Sequence, residues 1–164
     1  MTPDENVSAT DPDWSRETIQ KFWDPGRKLI RSVRRYQTAK AAAGPLAPIR
    51  TKYWILVHWF WSLITQSELH LNTKIGGGLQ LPHPTGVIIH PGAQIGPNCM
   101  IFHQVTLAGP VIMGGHVDIG AGAKLIGPLI IGDHARIGAN AVVTHDVPAG
   151  ATVAGIPARI IDPE

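Results

Sequence analysis

Residues 118–143 read DIGAGAKLIGPLIIGDHARIGANAVV, and the spacing inside that stretch decides the fold. Ile119, Leu125, Ile131, Ile137 and Val143 stand six apart. Four residues after each of the first four comes another apolar residue, Ala123, Leu129, Ala135 and Ala141. Six is not the 3.6-residue period of a helix, and no plain strand alternates for so long. Working outward, Ile89, Ile95, Ile101, Leu107 and Met113 extend the same file without a slip, and Gly96, Gly114, Gly120, Gly132 and Gly138 follow it with glycine.

This is a hexapeptide repeat, the signature of a parallel β-helix. Each hexad supplies a short strand and a corner, and the large aliphatic residue fills the interior of the prism. Stacked coils then bury a column of aliphatic ladders. Three hexads, about eighteen residues, make one coil if each gives one side. Upstream, Leu69, Ile75, Leu81 and Val87 keep the period two residues out of phase. One slip is therefore expected between Val87 and Ile89, with four to five coils in all.

A chain of 164 residues with 44% apolar content is enough for one core and short for two domains. Only 16% of its residues are charged, and 18 glycines and 14 prolines suit a turn-rich repetitive architecture rather than a helical bundle. The fold class is mainly β, a β-helix preceded by a small α-helical N-terminal region. Three segments are expected: a disordered lead-in over 1–13, helices over 14–66 and the β-helix over 67–164. The opening MTPDENVSATDPDWS lacks the basic start and apolar run of a signal peptide. The single Cys99 cannot close an intramolecular disulfide and falls at an inward small position, so it reads as core. A cytoplasmic location is the expectation.

Ten of the fourteen Lys and Arg residues lie between Arg16 and Lys52. A solvated helix face is the commoner cause of such a run, and no nucleic-acid partner is expected. Residues 14–43 look helical, with Pro25 and Gly26 dividing them into two pieces. The next segment, TKYWILVHWFWSLITQ over 51–66, falls short of the ~20 residues a membrane span needs. Its three tryptophans would suit a helix lying flat on a bilayer. Apolar residues on nearly every face favour burial against the main domain or a neighbouring subunit. Peripheral membrane contact is the lesser reading.

Residues eighteen apart should stack, and with the slip allowed for, His83 and His103 fall at equivalent positions on adjacent coils. Ala121 and Ala139 should stack at a corner bordered by Gly120, Gly122 and Gly138, where small residues let a ligand approach the main chain. His116 and His134 follow Asn98 in another column and read as exposed corner residues.

The order LPHPTGVIIHPGAQIG, IFHQVTL, IGAGAKLIG, IGANAVV and DVPAGATVAGIPARI resembles serine O-acetyltransferase of the hexapeptide acyltransferase superfamily, over roughly Glu68 to Ile161. The resemblance implies a left-handed β-helix, an exception to the usual crossover hand. It also implies a homotrimer with acetyl-CoA between neighbouring subunits. By the same resemblance His83 is the general base that takes the acceptor hydroxyl proton, a task imidazole suits because its ordinary pKa lies near working pH. Glu68 stands where the family commonly has Asp to orient that base. The Ala121–Ala139 ledge would hold the pantetheine arm, with Lys124 and Arg159 as phosphate contacts. A backbone amide near Ala108 or Gly109 would stabilise the thioester oxyanion. His103 is a candidate for substrate binding. No metal is expected: no two histidines stand five apart, as a γ-class carbonic anhydrase site would need.

Two departures bear on the acceptor. Pro82 stands where serine acetyltransferases carry Asp before the base, and VTLAG runs directly into PVIMGG without the loop that brings Arg and His to the acceptor carboxylate. L-serine is the first expectation and a sugar or polysaccharide hydroxyl the alternative. A non-catalytic trimeric scaffold is a third reading. The chain lacks the long helical N-terminal region and the isoleucine tail of many family members, so a lone trimer without cysteine synthase docking is expected.

Overall fold

The computed structural model describes residues 7–161. After a 3₁₀ turn at Trp14–Glu17 come helices α1 (Pro25–Ala41) and α2 (Ala47–Thr65). The helix expected from residue 14 is broken over 18–24, and Pro25–Gly26 begins α1 rather than interrupting it. Asp24 caps that start by accepting from the Arg27 N–H, and Pro25 sits in the first turn, where its missing N–H costs nothing. Gly26 is where α1 meets the β-helix, since a Cβ there would lie 2.2 Å from the Leu81 carbonyl oxygen. Leu29, Ile30 and Val33 share one buried cluster with Leu69, Leu79 and Leu81.

Fourteen short strands follow: β1 (Glu68–Leu69), β2 (Lys74–Ile75), β3 (Ile88–Ile89), β4 (Gln94–Ile95), β5 (Met100–Ile101), β6 (Thr106–Ala108), β7 (Val111–Met113), β8 (Asp118–Ile119), β9 (Lys124–Ile126), β10 (Leu129–Ile131), β11 (Arg136–Ile137), β12 (Val142–Val143), β13 (Thr152–Ala154) and β14 (Arg159–Ile160). They form three sheets, ordered β1-β3-β6-β9-β12, β10-β7-β4-β2 and β14-β13-β11-β8-β5. Every pairing is parallel except β13 with β14, which turns back antiparallel. Inside the prism Ile101, Leu107, Ile119 and Leu125 are fully buried, as are the small residues Ala123, Ala135 and Ala141. The first sheet has five rungs, the upper end of the expected count.

Register corrects the place of the slip. Glu68 pairs with Ile88, Lys74 with Gln94 and Gln80 with Met100, each twenty residues on. Ile88 then pairs with Thr106, eighteen on. The two extra residues therefore lie between Gln80 and Ile88, inside LPHPTG, and not after Val87. Val87 already belongs to the later phase.

Two corners are built on left-handed backbone. One carries positive φ at Gly86, Gln104, Gly122 and Asn140, the other at Gly78, Asn98, His116, His134 and Gly150. The lead-in, expected to be disordered over 1–13, is tied to the second corner from Ser8 on; residues 1–6 lie outside the described residues. The Asn98 side chain accepts from the Asp13 N–H and donates to the Ser8 and Asp11 carbonyls.

Helix α2 departs from one half of a further expectation, burial against the main domain. Within the chain only His58 and Thr65 of this helix are buried. Most of its large apolar residues face outward, while Trp61 packs against the core cluster.

Candidate functional site

The first corner collects most of the residues picked out from sequence. Backbone hydrogen bonds run from Gly86 N–H to Thr65 O, Gln104 N–H to Thr85 O, Gly122 N–H to His103 O and Asn140 N–H to Ala121 O. Thr85, His103, Ala121 and Ala139 are therefore successive members of one file. The residue in register with His103 is Thr85, not His83, which corrects the expected equivalence. His83 belongs to the two-residue excess, and the bulge brings it back to its expected neighbour. The His83 and His103 rings lie 6.1 Å apart, centroid to centroid, nearly edge to face.

Local chemistry explains the bulge. Pro82 and Pro84 flank His83, and each disfavours helical backbone at the residue before it. The Ser67 hydroxyl donates to the Pro84 carbonyl, pinning the segment to the preceding coil. His83 is left exposed while Pro84 and Val87 are buried. His103 is half-buried, and its Nδ1 is buried without a hydrogen-bond partner among the described residues.

Below His103 the corner becomes a ledge of small residues. Gly120 lies so close to the next coil that a Cβ would fall 2.6 Å from Ala139 N. The N–H groups of Ala121 and Ala139 donate to no backbone carbonyl among the described residues, so both stay available to a ligand. Lys124, on the sheet just after this corner, donates from Nζ to the Gln104 carbonyl. His83, His103, Ala121, Ala139 and Lys124 thus share one edge of the prism.

Glu68 stands in one file with Ile88, Thr106 and Lys124, whereas Gly109 and Arg159 stand apart from that edge. Glu68 sits exposed on the first rung of the same sheet, with no hydrogen bond or ion pair to His83. It lines a cleft of about 410 Å³ with His58, Ser62 and His70. Gly109 lies at the far corner of the first sheet, directly after Ala108; its N–H has no backbone partner among the described residues. Arg159 is on β14 at the C-terminal end, donating to the Ala158 carbonyl beside His145 and Asp146.

Other titratable groups have structural surroundings. At the second corner His116 and His134 approach Nδ1 to Nδ1 at 2.9 Å, and burial lowers the His116 pKa. Burial raises the pKa of the neighbouring Asp118. Cys99 is fully buried, and burial pushes its thiol up to about 12, so it is no nucleophile. Among the described residues no group of three or more His, Cys, Asp or Glu is placed to hold a metal ion.

Sequence reasoning missed Thr85, Ser67 and the left-handed Gln104. The first two could have been found by counting residues between paired hexads, because the excess falls inside the histidine-bearing corner. The Lys124 contact needed the corner carbonyl's direction, which no spacing reports.

No family model matches the chain. It is 38% identical to the serine acetyltransferase of Mycobacterium tuberculosis over 129 residues, which is 65% of this chain and 56% of that one. It is 43% identical to the serine acetyltransferase of Helicobacter pylori strain J99 over 106 residues, 60% of this chain and 62% of that one. The chain thus spans less than two thirds of these curated relatives. A solved serine acetyltransferase in complex with CoA superposes with a TM-score of 0.72 at 33% identity, over 85% of this chain and 57% of that chain. The serine acetyltransferase of Neisseria gonorrhoeae in complex with serine gives 0.72 at 30% identity, over 85% and 58%. In sequence and in its left-handed β-helix, the chain is similar to the serine acetyltransferases.

Proposed function

We propose that the protein is an acetyl-CoA-dependent O-acetyltransferase, with L-serine as acceptor and O-acetyl-L-serine and CoA as products. The observation that carries this is the edge on which exposed His83 meets His103 and continues into the open Ala121–Ala139 ledge. A β-helix similar to serine acetyltransferases, one of them in complex with CoA and one with serine, supports it. In this reading His83 takes the proton of the acceptor hydroxyl as that oxygen attacks the thioester carbonyl. The N–H of Gly109 or Ala108 stabilises the oxyanion. Collapse of the tetrahedral intermediate expels the CoA sulfur, which takes the proton back from His83. Glu68 orients the base, His103 contacts the acceptor, and Lys124 and Arg159 hold phosphates. The working unit is a homotrimer with each ledge facing a neighbouring subunit.

A saccharide hydroxyl is the second reading, and one observation favours it. Only Gly109 and Pro110 separate β6 from β7, so no loop there can carry an arginine to clamp an acceptor carboxylate. Thiol release from acetyl-CoA, measured with L-serine and with sugars, separates the two. His83→Ala should lower the rate roughly a hundredfold to ten-thousandfold, and Glu68→Gln should lower it less. Release that is unchanged in His83→Ala overturns the assignment of the base; no release from wild type with any acceptor favours the scaffold.

A further inference from the structure

Helix α2 presents an apolar face that nothing among the described residues covers. Leu56 is 66% exposed, Trp59 64% and Leu63 62%, and Ile49, Tyr53 and Phe60 lie on the same side. His58, Ser62 and Thr65 turn the other way. His58 bonds through Nδ1 to Ser32 of α1 at 2.9 Å and through Nε2 to Ser62 at 3.3 Å, and Thr65 is buried. The outward surface is continued by the loop before α1, where Phe22 is 91% exposed and Trp23 packs edge-on against Trp61. This exceeds the scattered single apolar residues that ordinary surfaces show.

Positive charge adjoins the patch. Lys28 Nζ sits over both the Phe22 and the Trp61 rings, and Arg50 and Lys52 lie exposed in α2 itself, between Ile49 and Tyr53. From Arg16 to Lys52 the chain carries ten basic and two acidic residues. A second copy docking here would bring like charge against like charge, which is unfavourable at an interface. An anionic lipid surface complements both features, taking Trp, Tyr and Phe at the headgroup level and attracting Lys and Arg. The helix is 19 residues long, and no helix among the described residues is long and apolar enough to cross a membrane.

We infer that α2 and the Phe22–Trp23 loop form a docking face that lies in the plane of an anionic membrane, with the β-helix held outside it. This goes beyond acetyl transfer and does not depend on it.

The test is co-sedimentation of the full chain with vesicles of phosphatidylcholine alone and of phosphatidylcholine with one third phosphatidylglycerol. Wild type should partition onto the anionic vesicles at least tenfold more strongly than onto the neutral ones. Leu56→Glu with Leu63→Glu should lose at least tenfold of that binding, with the thermal transition of the β-helix unchanged. Should this pair fail to fold, Arg50→Glu with Lys52→Glu tests the same face by abolishing the preference for anionic lipid. Wild type remaining in the supernatant with both vesicles overturns the inference. So does a sedimentation mass, measured without lipid, that drops in the Leu56 and Leu63 variant while vesicle binding is absent, because the face then belongs to a second copy.

Discussion

His58 is held neutral by its surroundings. Burial lowers its pKa, with a backbone contact at Leu69 opposing that effect and His70 adding to it. Ser32 donates to the Leu29 carbonyl, so its oxygen is left to accept from His58 Nδ1, and Nε2 can accept from Ser62. The unfolded chain therefore binds a proton at this site more readily than the folded one. Stability is fully present above the unfolded value near 6.5 and is lost as pH falls from there toward the depressed folded value. Melting followed between pH 7.5 and 5 should show the midpoint falling on acidification, and His58→Asn, which keeps a donor toward Ser32, should flatten the slope. Cys99 gives a second expectation at this scale. With its thiol near 12 and its Sγ against the Gly114 carbonyl, it should resist alkylation in the native protein and react once urea unfolds the coils. Its inward place was legible from the repeat, whereas the Ser32 partner of His58 was not, because it comes from a second helix; only Ser62 is one helical turn away in sequence.

Among the elements, the N-terminal segment is fixed to the β-helix by two basic side chains. Arg34 pairs with Glu17 through both carboxylate oxygens and donates to the Ile75 and Gly76 carbonyls. Glu17 in turn accepts from the Gly78 and Leu79 N–H groups. Arg16 donates to the Gly78 and Asn98 carbonyls. Arg34→Ala removes the side-chain donor to the Ile75 and Gly76 carbonyls and the cation beside Glu17, and should cost roughly 2–3 kcal/mol, read from the urea midpoint. Asn98→Ala should release residues 8–13 to proteolysis while leaving the β-helix transition nearly in place. The basic run was legible in the sequence, but its division of labour was not. Arg16 and Arg34 serve the corner carbonyls, and Lys28 serves aromatic rings, since only the folded coil exposes those carbonyls at the right height. Helix α2 was legible as a helix. Its exposure was not, because uniform apolarity in sequence does not say how many of its faces find a partner.

At the scale of the whole molecule, the hexad file fixed the prism, its inward residues and the stacking of Ala121 on Ala139. Ile119→Ala should therefore cost about 2–5 kcal/mol, as a deletion inside a fully packed column does, measured by unfolding. What the file left open was the position of the excess residues. Periodicity places each side chain in or out but says nothing of which corner absorbs an insertion. That choice decides which residue faces His103, and pairing across coils gives the answer that a one-dimensional count missed by a few residues.

The eighteen-residue register of the later coils makes chain length an angular coordinate. Six residues added after Val111 would keep every aliphatic residue pointing inward, yet turn all that follows by roughly a third of a revolution. The Ala121–Ala139 ledge would then sit on a different edge from His83, in a molecule whose melting is little altered. Eighteen residues added at the same point would return the ledge to its edge, displaced along the axis by about 4.8 Å. The fold tolerates any multiple of six, whereas a composite edge tolerates only multiples of eighteen.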